Sequence, residues 1–338
     1  MDNSRLPERE LPEGTWHSMR PPPKRTRLIY GATEEFITES ARLNALSATQ
    51  SRLQSELSRV QGEYFPALAA LAKKYPENFD EWEVKHLELM SAIAAAAHEC
   101  FPTPQAGSAL AIDRAEGAPF GIDIVALADR RLQSAEDLLR TVAALPLTAI
   151  AFGSNTILTL TRSALLAASE LVWLLPPESR VQRLARACSL ELVEVSGEKG
   201  MLRALSSQIG GISESADGGP RSTVDVAFEQ VASRERVLKE AQSRWGGVDG
   251  HNRAVVNAAG KHLSDVHDDK DGDLMRAAIT QWSTGSGIAH SNSWQGKYRT
   301  SMGSDPLRDL VTASGVPLMM TEAGIALSRV RSHAQPDT

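Results

Sequence analysis

Apolar residues recur along this chain at helical rather than strand spacing. Leu46, Leu53, Leu57, Val60, Tyr64 and Leu71 follow steps of three and four, with Gln50 and Ala67 as the weak members of the series. Sustained over more than three heptads, this is a coiled-coil-like seam. It predicts a helix opening near Thr33, where Glu34 and Glu35 suit a first turn, and kinked or restarted at Pro66. Tyr75-Pro76-Glu77-Asn78 predicts a turn and Phe79–Cys100 a second helix, so residues 31–102 read as a helical hairpin.

Residues 101–121, FPTPQAGSALAIDRAEGAPFG, hold three prolines and three glycines and are read as a linker loop over 103–121. Helices are predicted over 122–144, 147–175 and 178–195, with Pro176-Pro177 as stop and restart. A flexible link at 213–222 leads to a helix over 223–245. Further helices over 251–265, 273–285 and 317–331 follow, the last opening at Pro317. No hairpin turn joins alternating apolar runs, and no repeat is present. The fold expected is all-α: an N-terminal coiled-coil-like hairpin and a C-terminal helical bundle over 122–332. Residues 1–30, mixing proline with charge, read as a disordered arm, and 333–338 as a frayed tail.

Composition agrees with helix, since only 5% of residues are aromatic while Ala and Leu abound. A net charge of −6 and a pI near 5.8 argue against a surface coated with positive potential for nucleic acid. A local basic site for RNA stays open. Cys100 and Cys188 lack close partners and fit buried thiols in a reducing cytoplasm. The first thirty residues are polar and read as no secretory signal. Ala143–Thr161 carries no charge, but Pro146, Gly153, Asn155 and four threonines favour a core helix over a membrane span.

The segment 148–175 is the stretch around which the other elements are expected to pack, and it contains Arg162 and Glu170. On a helix these lie about 80° apart around the axis and about 12 Å along it. Buried ionisable groups need a partner, water or a ligand. The second candidate segment is WSTGSGIAHSNSW, 282–294. There His290 suits acid–base work near neutral pH, with Trp282, Ser286 and Trp294 as binding residues. The competing reading is a helix C-terminus whose histidine caps the last carbonyls.

Arg180, Arg183 and Arg186 form a positive stripe, either solvated or set for an anion. The acidic run 262–273 fails as a calcium loop, because His267 would stand at its first position and Ala278 at its twelfth. His262, His267 and Asp271 remain as transition-metal donors. An exposed loop whose aspartates cap the next helix is the simpler reading. No metal and no cofactor is therefore expected. Phosphate-loop, GxSxG and HExxH patterns are absent.

RSALLAASELVWLLPPESRVQRLAR, followed later by WSTGSGIAHSNSW, resembles an all-helical actinobacterial family similar to the HEPN and abortive-infection superfamily, over about 148–331. Arg162, Leu165, Leu166 and Trp173 match its first motif; Trp282, Ser286, Gly287 and His290 match its second. Ala167-Ala168-Ser169 intervenes before Glu170, and Arg253 and His262, nine apart, and Arg276 and His290, fourteen apart, do not have the four-to-six spacing of arginine and histidine in nuclease-active members. The resemblance thus implies the helical fold, and a toxin–antitoxin or phage-defence setting, more strongly than ribonuclease activity. The expected function is a non-catalytic interaction or regulatory protein in the cytoplasm. It would bind a protein partner, or itself as a homodimer, through residues 33–100, and no membrane. The alternative is a HEPN-like ribonuclease in which His290 is the acid or base, Arg162 stabilises phosphate charge and Glu170 orients one of them.

Overall fold

The computed structural model describes residues 81–96, 101–143, 154–210, 223–289 and 306–333, together with 66, 67, 69, 70, 73 and 74. All belong to one compact unit. Among them are nine α-helices and no strand, as the apolar periodicity predicts. In chain order these are α1 Glu81–Ala96, α2 Ala109–Gly117, α3 Ile124–Ala143, α4 Ser154–Leu174, α5 Arg180–Gly210, α6 Thr223–Trp245, α7 Asn252–Val266, α8 Asp273–Ala289 and α9 Pro306–Ser332. Residues 1–65 and 334–338, with the expected arm, most of the first helix of the hairpin and most of the tail, lie outside the described residues.

α4 is the axis of the bundle. It packs against α9, α3, α8 and α7 at once, because its apolar residues run all round it: Leu165, Ala168, Leu171, Val172 and Leu174 are fully buried on different faces. Leu171→Ala would cost about 2–5 kcal/mol at such a site. α4 and α9 approach closely. A Cβ on Gly324 of α9 would meet Leu171 Cδ2 at 2.4 Å. Residues Asn155–Leu174 and Leu310–Ser332 are each long and apolar enough to cross a bilayer, and here they are each other's principal packing partner. α1 buries Leu89, Met90 and Ile93 against α3, α4 and α9 through Leu139, Ala164 and Leu318. Lys73 pairs with Glu88 on its outer side at 3.1 Å.

Three boundaries differ from expectation. The segment 103–121 is not a loop. Ser108 caps α2, its Oγ accepting from the Ala111 N–H, and buries Leu110 and Asp113 in the core. Gly117 ends it where a Cβ would stand 2.5 Å from the Ile122 carbonyl oxygen. Prolines and glycines bracket this helix rather than prevent it. α5 runs to 210, not 195, since Gly197 and Gly200 are carried by the apolar seam it shares with α6. α9 starts at Pro306 and runs through Pro317. A mid-helix proline frees the carbonyl four residues back, and that oxygen, of Ala313, accepts from Gln281 Nε2 of α8 at 2.5 Å.

Candidate functional site

The arginine stripe at the start of α5 does not face an external anion; it closes the C-terminus of α4. Arg186 donates to the Trp173 carbonyl and lies over the Trp173 ring. Arg183 donates to the carbonyls of Pro177 and Glu178, and Arg331 of α9 to those of Leu175 and Pro176. The Trp173 and Leu175 carbonyls are acceptors that the end of α4 leaves unpaired, the others belong to the link 176–178, and cations there also oppose the negative end of the helix dipole. Each cation with a free side is neutralised. Arg183, only 3% exposed, holds the fully buried Asp113 through Nε at 2.5 Å and Nη2 at 3.0 Å. Arg180 reaches Glu116 at 2.9 Å and Arg331 reaches Glu178. Burial pushes the Asp113 carboxyl up, against the pull of Arg183.

Glu170 belongs to a different cluster from Arg162. Its carboxylate stands 2.6 Å from Arg131 Nε of α3, and Arg131 also reaches Glu194 of α5. The Nε–H is not aimed at the Glu170 oxygen, so this is a charge contact without a hydrogen bond. Burial therefore wins and pushes Glu170 up to about 7, with Arg131 opposing and Glu194 assisting. Next to it Glu191, itself buried, is held by Arg130 and Arg234. The charged neighbour of Glu170 among the described residues is thus Arg131, where Arg162 was expected, and His290 lies outside the described residues.

Arg162, Trp282 and Ser286 do come together. The Arg162 guanidinium lies over the Trp282 ring, 4.0 Å from its centroid, and Nη2 donates to Ser286 Oγ at 3.4 Å. The two tie α4 to α8 because Gly285, between them, lets the backbones meet; a Cβ there would be 2.7 Å from Arg162 Cβ. No carboxylate pairs with Arg162 among the described residues, and its Nε is buried without an acceptor. Burial draws its pKa down from the ordinary value. His290 and Trp294 lie outside the described residues.

The acidic loop between α7 and α8 is a cap. Asp269 accepts from Leu274 N–H and from Ser264 Oγ, and Ser264 Oγ in turn accepts from Met275 N–H. These bonds hold the Asp269 carboxyl below its usual range, the Leu274 amide most of all. No cluster of metal-binding side chains occurs among the described residues, His262, His267 and Asp271 included. Cys188 is buried, its thiol donating to the Leu238 carbonyl, and burial pushes its pKa up to about 11, so it is no nucleophile. Cys100 lies outside the described residues.

One surface escaped the sequence reading. α5 is 31 residues long, about 46 Å. Its first half enters the bundle through Arg183, Leu190 and Glu194. Beyond Val195 its buried face meets, among the described residues, α6, along a three–four seam of Val195, Lys199 and Leu202 against Phe228, Val231, Glu235 and Leu238. Lys199 and Glu235 pair at 2.5 Å in that seam, and with Lys239 they hold Glu235 down to about 2. The face that continues the line of Leu190 and Glu194 carries Gly197, Met201 and Leu205. Met201 is 57% exposed and Leu205 40%, and the Cβ positions of Gly197 and Gly200 have nothing within 4 Å. Ending the predicted helix at 195 hid this stripe.

No protein-family model, no curated protein and no solved structure matches the chain.

Proposed function

We propose that this chain is a non-catalytic helical interaction protein whose partner docks on the distal half of the α5–α6 hairpin. The observation that carries this reading is the uncharged stripe Gly197–Met201–Leu205 on a helix fixed at its base by ion pairs and along its seam by Lys199–Glu235. Such a helix offers an apolar face already ordered before binding, which lowers the entropic cost of association. α1, the longest described stretch of the region 33–100, supports a different use: its buried apolar residues Leu89, Met90 and Ile93 are occupied by α3, α4 and α9. The ribonuclease alternative requires Arg162, Glu170 and His290 at one phosphate, and the engagement of Glu170 by Arg131 counts against it.

The test is a photocrosslinking residue at position 201 of the full-length protein, expressed where the protein is native. A discrete adduct at 201, and none at the equally exposed Val330, is expected. An adduct of twice the chain mass would make the partner a second copy, as in the expected homodimer. Absence of any adduct at both 201 and 205 would remove the α5–α6 surface and the reading with it.

A further inference from the structure

Among the described residues, the buried and half-buried arginines other than Arg162 are matched to an acceptor that neutralises or caps them. Arg183 has Asp113; Arg331 has Glu178; Arg131 has Glu170 and Glu194; Arg140 has Glu136 and Asp137. Arg186 has the Trp173 carbonyl at a helix end. Arg162 has only an aromatic face and a hydroxyl at 3.4 Å. A half-buried cation without an anion is costly to fold around, and the surrounding residues do not let it escape. Gly285 brings the α8 backbone against the stem of Arg162, and the Trp282 ring fixes the plane of the guanidinium.

From this arrangement we infer an oxyanion site at Arg162, Trp282 and Ser286 that takes a phosphate group. A guanidinium stacked on an aromatic ring presents its N–H fork in one orientation, so little rotamer entropy is lost when an anion is bound. Ser286 Oγ accepts from Arg162 Nη2, which leaves its own O–H free to donate to the same ligand. Two guanidinium N–H groups alone satisfy a planar carboxylate; the added hydroxyl suits a tetrahedral oxyanion. The site stands independently of the α5–α6 surface and of the Arg131 cluster: it shares no residue with either.

The experiment follows the arginine Nε–H resonances of the full-length, nitrogen-15-labelled protein while inorganic phosphate is added at constant ionic strength. One cross-peak, absent from the Arg162→Lys variant, should shift saturably with a dissociation constant on the order of 1 mM. Lysine keeps the charge but not the fork, so Arg162→Lys should weaken phosphate binding about tenfold and Ser286→Ala a few-fold, both followed on the indole N–H of Trp282, which the variants keep. Thermal melting of each variant checks that it is folded, and Ser286→Ala alone suffices should Arg162→Lys fail to fold. Adenosine monophosphate and acetate form the other arms. Tighter binding of the nucleotide than of phosphate assigns a nucleotide phosphate, and equal binding assigns free phosphate. No saturable shift in the wild type, an unchanged shift in the variants, or acetate binding as tightly as phosphate would each overturn the site.

Discussion

Glu170 is a carboxylate placed where it resists ionisation. In the folded protein it keeps its proton to about pH 7, while an unperturbed glutamate releases it near 4.5. Between those values the folded state binds more protons than the unfolded chain. Stability from this group is therefore greatest at and below about pH 4.5, falls as pH rises through the interval, and is flat above 7. The loss is at most on the order of 3 kcal/mol. Glu170→Gln cannot titrate, and Arg131 keeps Glu194 as its partner. Thermal melting at about pH 5 and about pH 8 should show a fall of several degrees that is smaller in the variant than in the wild type. An identical fall in both proteins would mean that Arg131 holds Glu170 ionised throughout. At this scale the sequence was informative about which residues are unusual and silent about what answers them. Arg162 and Glu170 stand out as charges in an apolar run, and Trp282 and Ser286 as members of a polar-aromatic segment, so the Arg162 cluster was half visible. Arg131 gave no signal, being one of two adjacent arginines on an ordinary amphipathic helix, and Asp113, the partner of Arg183, is 70 residues away in sequence.

Among the elements, glycine separates two kinds of helix surface. Gly324 on α9 is where the central helix comes closest, and Leu171, fully buried, has nowhere to move. Gly324→Ala should lower stability by about 1–3 kcal/mol through overpacking, although alanine is the better helix former. Gly197 and Gly200 on α5 have open space over them. Alanine at either should raise stability by roughly 0.5–1 kcal/mol in the isolated protein, for the helix propensity alone. Denaturant unfolding of the three variants distinguishes these surfaces; destabilisation by Gly197→Ala would mean that the α5 stripe is already covered. The same residues explain which elements were legible. α3, α6 and α7 came within a few residues of their predicted limits because the apolar period runs the length of each. α2, α5 and α9 were cut short or missed because proline and glycine were taken as breakers. In each, a tertiary contact compensates: the Ser108 cap, the α6 seam and the Gln281 hydrogen bond to Ala313.

At the scale of the whole molecule, the nine helices divide by what covers them. α4 is enclosed by five neighbours, and α9 lies along it, so the backbone hydrogen bonds of both open only when the bundle does. The α5–α6 hairpin is enclosed at its base, where Cys188, Leu190, Leu238 and Trp245 are buried, and bare at its distal end, where most of residues 196–207 and 225–230 are exposed. Among the described residues, the seam around Leu202, Phe228 and Val231 holds that end together, with Lys199–Glu235 setting its register. Native-state hydrogen exchange should therefore grade along α5. Amides of 184–192 should exchange with those of α4, near the global unfolding limit, and amides of 200–207 roughly 100-fold faster or more, through local opening. The gradient is itself the requirement for a docking arm: free in the isolated protein, and slowed when a partner occupies Met201 and Leu205. Uniformly slow exchange along α5 in a dilute monomer would show that the stripe is not an open face, because the chain itself would be supplying its cover. Slow exchange that appears only at high protein concentration would instead identify a second copy as the occupant.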